Sequence, residues 1–292
     1  MKKIITALVL AAAPALAPAA DMLVSAAWLK ENLKDPKLVL FHVGTKPEFD
    51  QEHIRGAQHV LPQTLSIPHA ESTLAVQLLP EAALRAKLES LGVSDDSRVV
   101  VYFGSNMVSP ATRVYFSLDA AGLGDRTSFL DGGMPAWKAM GGDVTTETVT
   151  RPSGKITLKA RPELVATLDD VRRAVDKKDA RVIDARLPEF FDGTSAGSMP
   201  RAGRIPGARN LPFRNLTTTD LVLKSDAELT SLFKEAGVYK GDSMVTYCHL
   251  GQQATLVYFA AKRIGIKATM FDGSWDEWSR RTDLPIEPAP VK

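Results

Sequence analysis

From Asp21 onward the same order of sequence elements occurs twice, and this repeat limits the possible folds more than any other feature. The apolar run Leu38-Val-Leu-Phe-His-Val43 follows a helical pattern from Ala26 to Leu33, and Arg181-Val-Ile-Asp-Ala185 follows a similar pattern from Leu168 to Val175. Pro47-Glu-Phe49 returns as Pro188-Glu-Phe190, and His53-Ile-Arg-Gly-Ala57 returns as Arg204-Ile-Pro-Gly-Ala208. Arg98-Val-Val-Val-Tyr102 matches Ser243-Met-Val-Thr-Tyr247, and Ala111-Thr-Arg-Val-Tyr-Phe116 matches Ala254-Thr-Leu-Val-Tyr-Phe259. Phe129-Leu-Asp-Gly-Gly133 matches Phe271-Asp-Gly-Ser274, with Trp137 opposite Trp278.

Short Val/Ile/Leu/Tyr runs alternate in both halves with longer amphipathic stretches, which is how buried parallel strands joined by crossover helices read. In the second half Ala254, Val257, Tyr258, Ala261 and Ile264 share one helical face directly after Val245-Thr-Tyr247. Each half is expected to be an α/β domain, a central and mainly parallel sheet flanked by helices. The 292 residues divide into a leader at 1–20, a first domain at 21–145, a linker at 146–163, a second domain at 164–287 and a tail at 288–292. The linker, rich in Thr and broken by Pro152-Ser-Gly154, is expected to be exposed, and the proline-rich tail extended.

Lys2 and Lys3 precede an apolar run from Ile4 to Ala13, and a small-residue stretch with Ala17 and Ala19 in an A-x-A pattern follows. That order is a secretory signal peptide, and its apolar run is about half the length a membrane-spanning helix needs. Cleavage is expected to leave a periplasmic or secreted protein with no membrane contact. The 36 Lys+Arg and 34 Asp+Glu give a net charge of only +2, too small a field for nucleic-acid binding, so a small-molecule partner is expected.

The single cysteine can form no internal disulfide, and in an oxidising compartment it is open to chemistry. It stands in Tyr247-Cys-His-Leu-Gly-Gln-Gln-Ala254, between a buried strand and a helix. At such a position several backbone N–H groups have no helical partner and the helix dipole adds partial positive charge, so an anion is favoured there. Gly251 gives the loop freedom to curl its amides inward. The competing reading is that Cys248 is a small buried hydrophobe.

At this loop the chain resembles the tandem-domain rhodaneses, which include thiosulfate and 3-mercaptopyruvate sulfurtransferases. Ala268-Thr-Met-Phe-Asp-Gly-Ser-Trp-Asp-Glu-Trp278 fits that family's C-terminal pattern. Phe49-Asp-Gln-Glu-His-Ile-Arg-Gly-Ala57 fits the N-terminal pattern, with Arg55 where the family usually has Pro. Val182-Ile-Asp184-Ala-Arg186 resembles the strand end that supplies an Asp and a substrate-facing Arg. The resemblance runs from about Leu23 to Ile286. It implies that Cys248 takes a sulfane sulfur from a small anionic donor, thiosulfate or 3-mercaptopyruvate, becomes a persulfide, and passes the sulfur to cyanide or a thiol without a cofactor. It also implies that the first half is catalytically silent: Phe103 stands opposite Cys248, His42 and Gly44 stand opposite Asp184 and Arg186, and the connection from Phe103 to Thr112 is longer than its counterpart.

Donor binding is expected from Arg186, His249, Leu250, Gly251, Gln252, Gln253, Arg204 and His53, with Asp184 in support. Arg186 is the leading candidate, because a guanidinium fork at a strand end suits an anion; the alternative is a surface or structural ion pair. Arg204 stands where the family usually has His, in a segment that includes Arg201 and approaches the cleft in relatives. His53 matches a histidine that faces the site across the domain interface, with packing as the alternative. His249 could act electrostatically or face solvent, and Gln252 and Gln253 could be uncharged donors or bland surface. Family members tend to have Arg-Lys or Gly-Ser after the cysteine; His249-Leu250 selects neither donor.

A phosphatase of the Cys-x5-Arg type is excluded, because position 254 is Ala and no Arg lies between Cys248 and Lys262. No spacing demonstrates a Cys–His hydrolase. One Cys and 5 scattered His offer no metal-ligand spacing, so no metal is expected. The remaining alternative is an exported persulfide carrier or redox-sensing sulfur-binding protein with little turnover.

Overall fold

The computed structural model describes residues 21–287. The expected leader at 1–20 and tail at 288–292 lie outside the described residues. The first half contains β1 (Leu23–Val24), α1 (Ala26–Asn32), β2 (Leu38–Val43), α2 (Lys46–Gln51), β3 (His53–Ile54), β4 (Ala57–His59), α3 (Glu81–Ser90), β5 (Arg98–Phe103), α4 (Val108–Leu118), β6 (Thr127–Leu130), α5 (Gly133–Ala139) and β7 (Val144–Thr145). The second contains β8 (Val165–Ala166), α6 (Leu168–Lys177), β9 (Arg181–Asp184), α7 (Pro188–Phe191), β10 (Arg209–Asn210), α8 (Asp226–Glu235), β11 (Ser243–Tyr247), α9 (Ala254–Arg263), β12 (Lys267–Phe271) and α10 (Ser274–Arg280).

Two five-stranded sheets run β1-β6-β5-β2-β4 and β8-β12-β11-β9-β10, and every pairing in them is parallel. Replacing each strand by its sequence repeat converts one order into the other. Even the small antiparallel pair β3–β7, where His53 faces Thr145, has its counterpart in the Arg204–Glu287 bridge. Both faces of each sheet are covered, so β2 is buried at every residue and reads as a continuous apolar run rather than an alternating one. The surface helices α2, α6 and α8 start at Thr45, Thr167 and Ser225, each closing a capping box with an acidic residue three positions on.

α4 and α9 join the halves. Tyr115 packs edge-on against Phe259 at 4.8 Å and Phe116 against Tyr258 at 4.9 Å, while the Thr112 and Thr255 hydroxyls meet at 2.9 Å. Residues that the repeat equates thus contact each other reciprocally, the signature of a pseudo-twofold interface within one chain. One apolar core runs through it, which is why α9 is buried from Ala254 through Ala261 rather than along one stripe.

Most residues of the linker are exposed, but it is docked rather than free: Ile156 is buried, the Gly154 N–H donates to the Glu89 carbonyl at 2.8 Å, and Lys155 accepts from the Asp95 N–H at 3.1 Å. A Cβ on Gly154 would lie 2.1 Å from the Val93 carbonyl oxygen, so only glycine permits this approach. The alternation Lys155-Ile-Thr-Leu158 turns every second residue inward, and that short apolar pattern decides the outcome against the polar composition around it. At the other end of the chain Pro285 and Glu287 are also docked, accepting from the Trp278 indole and pairing with Arg204.

Candidate active site

β11 is the central strand of the second sheet, and Cys248 follows its last residue at the carboxyl end, where ligands collect in parallel sheets. The loop is held to the start of α10. Cys248 N–H donates to Ser274 Oγ at 3.2 Å, Trp275 N–H donates to the Cys248 carbonyl at 2.9 Å, and Asp276 N–H donates to the His249 carbonyl at 2.9 Å. Ser274 adopts a left-handed backbone (φ 51°), and its hydroxyl donates to Phe271 while accepting from the cysteine amide. Gly251 is also left-handed (φ 73°), and a Cβ there would come within 2.6 Å of the Asp272 carbonyl oxygen. Both constraints turn the chain sharply between strand and helix.

Among the described residues, no acceptor meets the amides of Leu250, Gly251, Gln252, Gln253 or Ala254, and α9 begins with no side-chain cap. Thr255 N–H is engaged by the Gln252 carbonyl at 3.2 Å, which ends the run of unbonded donors. The loop therefore offers donors and partial positive charge beside the only thiol. Cys248 itself is 1% exposed, at the floor of the loop.

The other expected site residues divide. Leu250 is exposed, Gly251 buried, and His249, Gln252 and Gln253 lie between. His249 stands edge-on to Phe190 at 4.5 Å, and burial, then the Arg186 charge, hold its pKa below the ordinary imidazole value. Gln253 Oε1 is buried without a hydrogen bond. Arg186 is not an open anion fork. It is 1% exposed, its Nε and Nη2 donate to the fully buried Asp184, Nη2 also reaches the Gly203 carbonyl, and the guanidinium lies 4.7 Å from the Trp275 ring. A guanidinium this enclosed spends its donors on a carboxylate two residues away, so the ion-pair reading replaces the substrate-facing one in this structure. Asp184, expected in support, is the partner in that pair.

Two expectations fail more simply. Arg204 pairs with Glu287 at 3.0 Å and stacks on Phe191, as its place in the two-residue bridge requires. His53 is fully buried in the first half, stacked on Phe49 at 3.9 Å, with its ring nitrogens against the carbonyls of Phe49 and Glu147. It packs its own domain. Arg201 likewise caps the end of α10, reaching the carbonyls of Trp278, Ser279, Arg281 and Leu284.

The sequence reading missed Arg113. This α4 residue from the first half is fully buried, donates from Nη1 to the Gly251 carbonyl at 2.8 Å, and places Nη2 2.7 Å from Asp272, with a further bond to the Val76 carbonyl. It fixes the cysteine loop and the β12–α10 turn from across the interface. A signal was present: Arg113 stands opposite Leu256 in the repeat, a charge in an apolar helix. In the first half Phe103 fills the cysteine position, and a Cβ on Gly133 would lie 2.8 Å from its ring. A cavity of about 670 Å³ lies at the opposite ends of the second-sheet strands, by Ser243 and Lys267, and belongs to neither loop.

The rhodanese-like domain model matches residues 25–140 and again 167–281. A putative thiosulfate sulfurtransferase of Mycobacterium tuberculosis is 29% identical over 280 residues, covering 91% of this chain and 98% of that protein. The 3-mercaptopyruvate sulfurtransferase of Escherichia coli is 29% identical over 284 residues, covering 91% and 97%. The sulfur carrier protein TtuD of Thermus thermophilus is 30% identical over 280 residues, covering 91% and 96%. Among solved structures, wild-type EanB superposes with a TM-score of 0.82 at 21% identity, covering 92% of this chain and 70% of that one, a likeness of fold. Two copies of the family's domain, which together cover most of its length, make this chain a member of the rhodanese family.

Proposed function

We propose that the protein is a sulfurtransferase in which Cys248 carries sulfur between a small anionic donor and a thiophilic acceptor. The observation that carries this reading is the lone thiol beneath a strand-to-helix loop whose following amides have no acceptor. With thiosulfate, the Cys248 thiolate attacks the outer sulfur, the bond to the central sulfur breaks, and sulfite leaves with the electron pair. With 3-mercaptopyruvate, the carbon–sulfur bond breaks and the carbon fragment leaves as the enolate of pyruvate, which takes a proton. In either case a Cys248 persulfide remains, and the unbonded amides stabilise its terminal sulfur anion. Cyanide or a thiolate then attacks that sulfur, the persulfide bond breaks, and the Cys248 thiolate returns. Two half-reactions through a covalent intermediate require ping-pong kinetics.

The test is thiocyanate release from cyanide with each donor, using the Cys248→Ser protein as control. Activity that survives in Cys248→Ser sinks the proposal, and the ratio of kcat/KM for the two donors identifies the preferred one. The enclosure of Cys248 favours a second reading, a persulfide carrier that loads once and releases slowly to a partner; a relative at 30% identity bears the name of a sulfur carrier. Stoichiometric persulfidation without steady-state turnover would select it. We also propose export, on the leader pattern at residues 1–20. Intact-cell fractionation that finds the full-length chain in the cytoplasm refutes that part alone.

A further inference from the structure

The silent half keeps a cavity where its own reaction site would be. It measures about 320 Å³ and lies beside the loop after Phe103, lined by His42, Glu48, Gly104, Ser105, Met134 and Pro135. His42 and Gly44 occupy the places that Asp184 and Arg186 hold in the other half. With no guanidinium to fill it, the space has stayed open, at the lower end of the range for small-molecule pockets.

The lining is not inert. His42 is 1% exposed, yet neither ring nitrogen has a hydrogen-bond partner. A buried polar group left unpaired costs about 1–3 kcal/mol, so Nε2, the nitrogen beside Gly44 and Gly104, points to a missing donor when it is the acceptor of the neutral ring. The ring is held edge-on by Phe49 at 5.3 Å and Tyr102 at 5.0 Å, which fixes its direction. A Cβ built on Gly44 would lie 2.4 Å from His42 Nε2 and 3.2 Å from Glu48 Oε2, and one on Gly104 would lie 3.3 Å and 3.4 Å from the same atoms. The imidazole nitrogen and the carboxylate therefore converge on one glycine-lined notch, which any side chain at either glycine would close.

The charge in that notch is negative. Hydrogen bonds from Ser105 and Thr45 hold the Glu48 carboxyl down to about 2, and burial, aided by His59 and His53, holds the His42 ring down to about 4. At neutral pH the pair is thus one anion and one uncharged ring with an acceptor nitrogen. Glu52 on the rim is paired with Lys138, so those charges cancel and Glu48 sets the sign. Met134 and Pro135 supply an apolar wall. This is the reverse of what a thiosulfate or carboxylate donor needs.

We propose that the first half carries a binding site for a small primary ammonium ion, whose N–H groups meet His42 and Glu48 and whose short aliphatic body lies against Met134 and Pro135. The test is NMR titration of the full chain with n-propylammonium, following the His42 side-chain nitrogens and the Gly104 and Ser105 amides, with n-propanol and propionate as uncharged and anionic controls. A saturable shift with the ammonium alone is expected. Glu48→Gln, which preserves the capping box, should weaken it about tenfold or more, while sulfur transfer at Cys248 in the same protein stays unchanged. Equal response to propanol or propionate, no saturation with any probe, or unaltered affinity in Glu48→Gln overturns the proposal. If Glu48→Gln fails to fold, Gly104→Val, which blocks the notch sterically, takes its place, and retained ammonium binding there overturns it equally.

Discussion

At the scale of single residues, buried polar groups separate architecture from chemistry. Asp184 and Arg186 are at most 1% exposed, and breaking such a pair leaves a charge without compensation. Asp184→Asn should lose about 3–5 kcal/mol of unfolding free energy in a denaturant titration; a loss within 0.5 kcal/mol of zero, roughly the surface-substitution range, would show that the pair is not integral. His42 adds a pH dependence. Its folded pKa of about 4 lies below the ordinary 6.5, so between those values the unfolded chain binds more protons and stability falls as pH falls. The full effect approaches about 3 kcal/mol, is absent above pH 6.5, and should vanish in His42→Gln when unfolding is measured from pH 7.5 to 4. Cys248 was legible as local sequence, and the Asp184–Arg186 strand end through the family resemblance. The direction of the Arg186 fork was not, because two donors two residues from a carboxylate can turn inward or outward, and burial by Trp275 decided it.

At the scale of elements, α4 of the first half acts on the loop of the second. Arg113 binds the Gly251 carbonyl and Asp272 at once, so its planar fork holds two segments in register. Arg113→Lys keeps the charge but loses the fork. We expect kcat for thiocyanate formation to fall about tenfold or more, a barrier increase of about 1.4 kcal/mol, with KM changed less, because the loop amides lose their alignment. Unchanged kcat, with the loss confined to melting temperature, would reduce Arg113 to a structural tie. The strand and helix order was readable from periodicity alone, since β2, β5 and β11 are continuous apolar runs. The docked linker was not, because Ile156 and Leu158 form too short a pattern to outweigh the Thr- and Pro-rich stretch that contains them.

At the scale of the whole molecule, the two halves are one cooperative body. Besides the shared apolar core, the buried Asp119 of the first half joins Arg161 of the linker and Tyr258 and Lys262 of α9. A fragment of residues 164–287 would expose α9 on the face that α4 covers and leave Gly251 without Arg113. Expressed alone, it should aggregate or remain unfolded by circular dichroism and show no sulfur transfer; a monomeric, active fragment would contradict the account. The sequence by itself determined the two-domain α/β architecture and the position of the thiol, because strand and helix periodicities and a strand–Cys–helix junction are local properties of the chain. Only the tertiary structure decided which charged groups face the loop. Arg186, Arg204 and His53 could each have offered a free polar group to it by sequence; the buried Arg186 and His53 instead took the nearest partners with good geometry, although the Arg186 charge still acts on His249, and Arg204 is held by its ion pair with Glu287. Arg113 reached it from the other domain for the same reason.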